Sequence, residues 1–146
     1  MNPETHITRG EAETRAVAAR LAARLANRAV LALEGELGAG KTCFVRGLAA
    51  ALGSPAAVTS PTFTLRHDYA GGRHTLRHFD LYRLPSAAAA PDLELDECVE
   101  EDGWTVIEWP ERAAGLLPPR TIRIRLTLGA APDERRIEIF RPENAA

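Results

Sequence analysis

Lysine is almost missing from this 146-residue chain: there is one, Lys41, against 17 arginines. Cysteine is nearly as scarce. Cys43 and Cys98 are too few for a disulfide scaffold, and they fit thiols in a reducing cytosol. No run approaches 18 uninterrupted apolar residues, which excludes a membrane-spanning helix on pattern. Met1 to Gly10 is polar and offers no apolar core for a signal peptide, so the cytoplasm is the expected location. A net charge of −2 gives no bulk positive field to hold nucleic acid. What remains is ordinary globular material, 45% hydrophobic and 26% charged, which excludes a wholly disordered chain. The length fits one domain, residues 1–146, able to bury roughly 70% of its unfolded surface. The 26 alanines and the excess of arginine look like a coding bias rather than a binding signal. That bias makes the surviving lysine notable.

Thr8-Arg9-Gly10-Glu11 has the T-x-x-E form of a capping box, and Val17, Leu21 and Leu25 follow at helical spacing, predicting a helix over 9–27. Val30 to Leu33 reads as a buried strand. A helix is expected from Lys41 to Leu52, closed by Gly53 and followed by Pro55. Residues 58–63 read as an extended loop. Thr64–Tyr69 and His74–Phe79 read as a hairpin around Ala70-Gly71-Gly72-Arg73. Residues 84–103 carry seven acids and no base, predicting a short helix and a solvated loop. Trp104–Glu108 is a strand candidate, and Pro110–Leu117 has room for a helical turn. Thr121–Leu128 alternates, with Ile122, Ile124, Leu126 and Leu128 on one face and Arg123 and Arg125 on the other; Arg135–Phe140 alternates too. The expected architecture is α/β: a compact P-loop-like domain, its central mixed sheet flanked by helices and antiparallel edge strands.

Gly35-Glu36-Leu37-Gly38-Ala39-Gly40-Lys41-Thr42 matches G-x-x-x-x-G-K-[ST], with an apolar strand before it and a helix after it. Glycines let backbone N–H groups turn inward around phosphate oxygens, and the helix start adds its positive dipole end. The candidate phosphate cradle is Glu36, Leu37, Gly38, Ala39, Gly40, Lys41 and Thr42. Lys41 can reach the β- and γ-phosphates, and the Thr42 hydroxyl can ligate Mg²⁺. Arginine's planar fork does not fit a site shaped for a compact ammonium, which accounts for a lysine persisting here.

Such a site needs an acid at a neighbouring strand end and a group to orient water. Glu108 ends the apolar run Val106-Ile107, and Asp80 ends His78-Phe79; both are expected near the Mg²⁺ on Thr42. Ser60 and Thr62 fit either a γ-phosphate-sensing loop or an ordinary Ser-Pro turn. Trp109 can be core or cover the site. Cys43, at a helix start, reads as a packing residue. Arg66, His67, Arg73, His74, Arg77 and His78 read as a solvated basic face of the hairpin, with contact to RNA or an acidic partner as the alternative.

Four stretches, GELGAGKT (35–42), VTSPTFTL (58–65), HFDLYRL (78–84) and VIEWPER (106–112), together resemble the TsaE (YjeE) family of bacterial tRNA threonylcarbamoyladenosine biosynthesis, in order and spacing. The resemblance covers nearly the whole chain. It implies a P-loop fold with a mixed sheet, ATP hydrolysis with Mg²⁺, and work beside TsaB and TsaD, with tRNA met through that complex. By position it makes Lys41 and Thr42 the phosphate and Mg²⁺ groups, Asp80 the Walker-B-type acid and Glu108 a metal- or water-orienting acid. It puts Thr62 in a switch-like loop, Trp109 near the catalytic region and Arg135 near the nucleotide. Cys43 replaces the usual hydroxyl residue, and Ala87–Ala90 a more charged helix.

Three other readings compete. A GTP-dependent switch commonly uses N-K-x-D, which a chain with one lysine lacks. A small-metabolite kinase needs an Arg-rich lid, and residues 84–103 have none. A non-hydrolysing adaptor regulated by ATP differs from an ATPase only in turnover.

Overall fold

The computed structural model describes residues 2–36, 38–54, 58–59, 61, 65–70, 72–83 and 94–142. Its elements are β1 (Glu4–Arg9), α1 (Glu11–Ala22), β2 (Val30–Glu34), α2 (Lys41–Leu52), β3 (Arg66–Tyr69), β4 (Leu76–Asp80), α3 (Leu95–Cys98), β5 (Trp104–Glu108), a 3-10 segment (Pro110–Leu116), β6 (Ile122–Leu128) and β7 (Glu134–Phe140). The strands form one mixed sheet in the order β1-β7-β6-β2-β5-β4-β3. β6, β2, β5 and β4 are mutually parallel, while β7 and β3 run against their neighbours.

Two apolar layers sandwich the sheet. On one face α1 and α2 pack over Leu31, Leu33, Trp104, Val106, Ile124 and Ile137. The two helices meet at Gly47, where a Cβ would come within 2.7 Å of both the Ala18 Cβ and the Arg15 carbonyl. On the other face α3 and the 3-10 segment cover Val30, Phe79 and Ile107 with Leu95, Cys98 and Val99. Phe44 and Phe79 are wholly buried, each contributing about 2–3 kcal/mol of burial.

The α2 boundaries match the sequence reading, with Gly53 closing the helix in the left-handed region at φ 82°. The N-terminal reading is corrected. Thr8 lies in β1 and does not cap α1; its hydroxyl meets that of Thr14 at 2.8 Å, and Gly10 is the N-cap. Glu13, rather than Glu11, reaches back, accepting the Arg9 N–H at 3.0 Å. The helix runs 11–22 because residues 4–9 are drawn into an edge pairing with β7, from Glu4 against Ile139 to Arg9 against Glu134. In β6, Ile122, Ile124 and Leu126 are buried as alternation requires, but Leu128 is 56% exposed at the strand's end.

The hairpin reading is corrected in its charge. Arg77 and His78 are buried, not solvated, because β4 is an interior strand with β3 on one side and β5 on the other. Arg77 donates to the carbonyls of Asp102, Cys98 and Glu101 at 3.0–3.2 Å, stapling the acidic segment onto the sheet. The acids of that segment, Glu94, Asp96, Glu97, Glu100, Glu101 and Asp102, are solvated as expected. Ala87–Ala90 lies outside the described residues.

Candidate functional site

β2, β5 and β4 are parallel, so their C-terminal ends collect at one edge of the sheet. β2 runs into the glycine loop, and α2 starts at the end of that loop. Gly38 (φ 83°) and Gly40 (φ 101°) hold left-handed conformations, which open the loop without steric cost at Cβ. The Phe44 N–H donates to the Gly40 carbonyl at 2.9 Å. The amides of the preceding first turn, Lys41 to Cys43, have no intrahelical acceptor and are positioned for an anion.

Lys41 is only 5% exposed. Its Nζ donates to the Gly35 carbonyl at 2.6 Å, lies 3.8 Å from Glu108 Oε1 and sits 4.0 Å from the centre of the Trp109 ring. Burial pushes the ammonium below its ordinary pKa, while Glu108, Asp80 and Glu111 pull it back up. Asp80 and Glu108 are register partners on adjacent parallel strands, both buried. Each lies an even number of residues from an apolar position under α2 (Leu76, Val106), so both side chains emerge on the face that carries the loop. The Tyr82 N–H donates to Asp80 Oδ1 at 3.0 Å. Thr42 is half-buried in the first turn of α2.

Trp109 is half-buried, with a left-handed backbone (φ 57°) that is uncommon for a bulky residue and marks a constrained position. Its ring covers Lys41 and packs 4.9 Å from Tyr82, joining the third and fourth motif stretches. Arg135 reaches the loop: Nη2 donates to the Gly38 carbonyl at 3.2 Å, and Nη1 to Pro132 and Glu134 carbonyls. Two cavities flank the loop. One of about 560 Å³ is lined by Glu34, Glu36, Ala39, Trp109, Glu111 and Leu126, and one of about 190 Å³ by Gly10, Glu11, Gly38, Gly40 and Arg135. Leu37, Ser60 and Thr62 lie outside the described residues. Cys43 is buried, its thiol pushed up by burial and by Glu11, and it packs as the sequence suggested.

The sequence reading missed His78. It is wholly buried, with Nε2 2.5 Å from Glu108 Oε2. The available signal was the spacing His78-x-Asp80, which puts both side chains on one face of a strand.

A strand, a glycine loop, a helix opened by lysine and acids on adjacent parallel strands define a P-loop domain. The model of one family, described as "Threonylcarbamoyl adenosine biosynthesis protein TsaE", matches residues 8–137, and the chain belongs to that family. Relatives named tRNA threonylcarbamoyladenosine biosynthesis protein TsaE include that of Treponema pallidum (strain Nichols), 53% identical over 97 residues, covering 66% of this chain and 71% of its own. The Bacillus subtilis (strain 168) protein is 41% identical, covering 86% and 77%. The Rickettsia bellii (strain RML369-C) protein is 36% identical, covering 94% and 93%. The crystal structure of Bacillus subtilis YdiB superposes with a TM-score of 0.81 at 34% identity, covering 97% of this chain and 87% of that one. The family places this chain in threonylcarbamoyladenosine modification of tRNA.

Proposed function

We propose that the chain binds ATP with Mg²⁺ and hydrolyses it to ADP and phosphate in support of that modification. TsaB and TsaD are its partners, tRNA is met only through their complex, and the work is done in the cytoplasm. The observation that carries the reading is the buried Lys41 ammonium, held between the glycine loop and the acids Glu108 and Asp80. A buried cation is costly, and its place beside first-turn amides suits a polyphosphate.

Mg²⁺, when bound, neutralises charge on the β- and γ-phosphates. The residues fit it. Among the described residues no group of three or more His, Cys, Asp or Glu forms a metal cage. Mg²⁺ with a nucleotide asks for less: one or two protein oxygens, the phosphates and water. Thr42 offers a hydroxyl and Asp80 and Glu108 offer carboxylates. Lys41 and the loop amides hold phosphate oxygens, Glu108 orients water, Trp109 shields the lysine from solvent, and Arg135 braces the loop at Gly38. Thr62 is assigned to a switch-like loop that orders with the γ-phosphate. No helix among the described residues is long and apolar enough to cross a membrane.

The test is steady-state phosphate release at saturating ATP and Mg²⁺, with the TsaB–TsaD complex titrated in. Slow turnover that rises with the complex is expected, because positioning water and neutralising γ-phosphate charge are worth orders of magnitude in rate. Unaltered turnover in Lys41→Ala rejects the phosphate-loop assignment. A fast rate indifferent to the complex rejects the partner dependence.

A further inference from the structure

His78 is 0% exposed, yet one of its two ring nitrogens, Nδ1, is buried with no hydrogen-bond partner among the described residues. The other, Nε2, lies 2.5 Å from Glu108 Oε2. The second oxygen of that carboxylate, Oε1, faces Lys41 Nζ at 3.8 Å. β4 and β5 fix the arrangement: His78 pairs with Val106, and Asp80 with Glu108, so the imidazole sits one pleat below the carboxylate on the same face of the sheet. A histidine placed there only to fill space would leave a nitrogen unsatisfied for no return, since an apolar side chain packs without that penalty.

We propose that His78 is a positioning residue that donates from Nε2 to Glu108 Oε2 and thereby holds the other carboxylate oxygen toward Lys41 and the phosphate loop. The inference rests on the proposed ATPase reading for what Glu108 then does. The proton assignment follows from hydrogen-bond accounting. With the proton on Nε2, the partnerless Nδ1 is a bare acceptor. With the proton on Nδ1 instead, that position is a buried N–H with no acceptor among the described residues, and Nε2 meets the Glu108 carboxylate as acceptor against acceptor. The first arrangement leaves the lesser defect. A carboxylate held at one oxygen by an interior strand and faced at the other by an ammonium does not swing between rotamers, which is the preorganisation a water-orienting group needs.

Two measurements test this. In the nucleotide-free chain, nitrogen-15 NMR of the imidazoles, with His78 assigned by its loss in His78→Gln, is expected to show the Nε2–H tautomer. A Nδ1–H tautomer overturns the assignment. In turnover, His78→Leu and His78→Asn are expected to lower kcat at least about tenfold, while ATP affinity by calorimetry stays within about twofold. His78→Gln, whose amide nitrogen falls near Nε2, recovers kcat to within about threefold of the native chain. Asn is too short to reach Glu108, so Asn and Gln differ in reach rather than in polarity; if the Leu variant does not fold, that pair decides. Equal rates in Asn and Gln overturn the proposal. Glu108→Gln separates the two readings. If it loses turnover and the His78 variants do not, only the role of His78 fails; if it keeps turnover, the site reading itself fails and the role of His78 with it.

Discussion

On the β2-β5-β4 half of the sheet, the C-terminal ends of β4 and β5 and the loop after β2 gather Lys41, His78, Asp80 and Glu108, none more than 5% exposed. On the other half, β6 and β7 carry Arg123, Arg125 and Arg136 outward, 47–60% exposed, against Glu34 and Glu138. The two halves contain the same kinds of pair, but water treats them differently. Exposed pairs are worth about 0–1 kcal/mol each and are screened by salt. Buried charges cost several kcal/mol each, and their mutual attraction only partly offsets that. A fold under no other demand would hold its charges as β6 and β7 do. The first half therefore holds the charges that folding alone does not explain, and the abundance of arginine on the second says little about them.

The sharpest way to break this contrast is Lys41→Met, which keeps much of the side-chain volume and removes the charge. Turnover is expected to fall by at least about 10²-fold, and stability by about 3 kcal/mol, because Glu108 is left a buried carboxylate without its cation. Turnover near the native rate would mean that Lys41 does not serve the phosphate site. Glu108→Ala removes the other partner. It strands an ammonium and an imidazole, and a loss of about 3 kcal/mol is expected in urea unfolding. Gly47→Ala tests the helix layer common to both halves. Its Cβ meets backbone and cannot relax cheaply, so a loss of about 2 kcal/mol is expected by the same assay.

Two smaller effects belong to the outer half. The Arg24 guanidinium and the His6 ring beside Glu4 hold its carboxyl down to about 2, from an ordinary 4.5. A lowered carboxylate pKa stabilises above its unfolded value and loses that contribution as pH falls from about 4.5 toward 2. Because the pair is over a third exposed, solvent screening discounts the gain to under about 1 kcal/mol. Glu4→Gln should flatten that stretch of a pH–stability curve slightly. Arg123→Ala, finally, is expected to change stability by less than about 0.5 kcal/mol at moderate salt.

The residues that were legible are those whose local pattern and tertiary role agree. Lys41–Leu52, Val30–Leu33 and Trp104–Glu108 have apolar periods, glycine punctuation and burial that say the same thing. The glycine loop and the placement of Asp80 and Glu108 on adjacent strand ends were readable because such a loop demands particular residues at particular spacing. β1 was not readable: its T-x-x-E pattern imitates a cap, and its only large apolar residue, Ile7, is 48% exposed. Its strand character comes from β7, far away in sequence. Arg77 and His78 were misread for the same reason. Nothing within residues 66–79 announces that β5 will lie along the other side of β4 and exclude water. Residues whose burial is decided by a distant partner are the ones that local pattern misplaces.

β7 lies between β1 and β6, and residue 4 is paired with residue 139. A chain emerging from the ribosome can assemble α1, α2 and the parallel strands while β1 still waits for β7. Until residues 134–140 are released, one edge of β6 and the whole backbone of β1 stay open to other strands. Fragments ending before β7 should thus fail by association rather than by simple unfolding, and the arrival of β7 is the step that covers the free edge of β6.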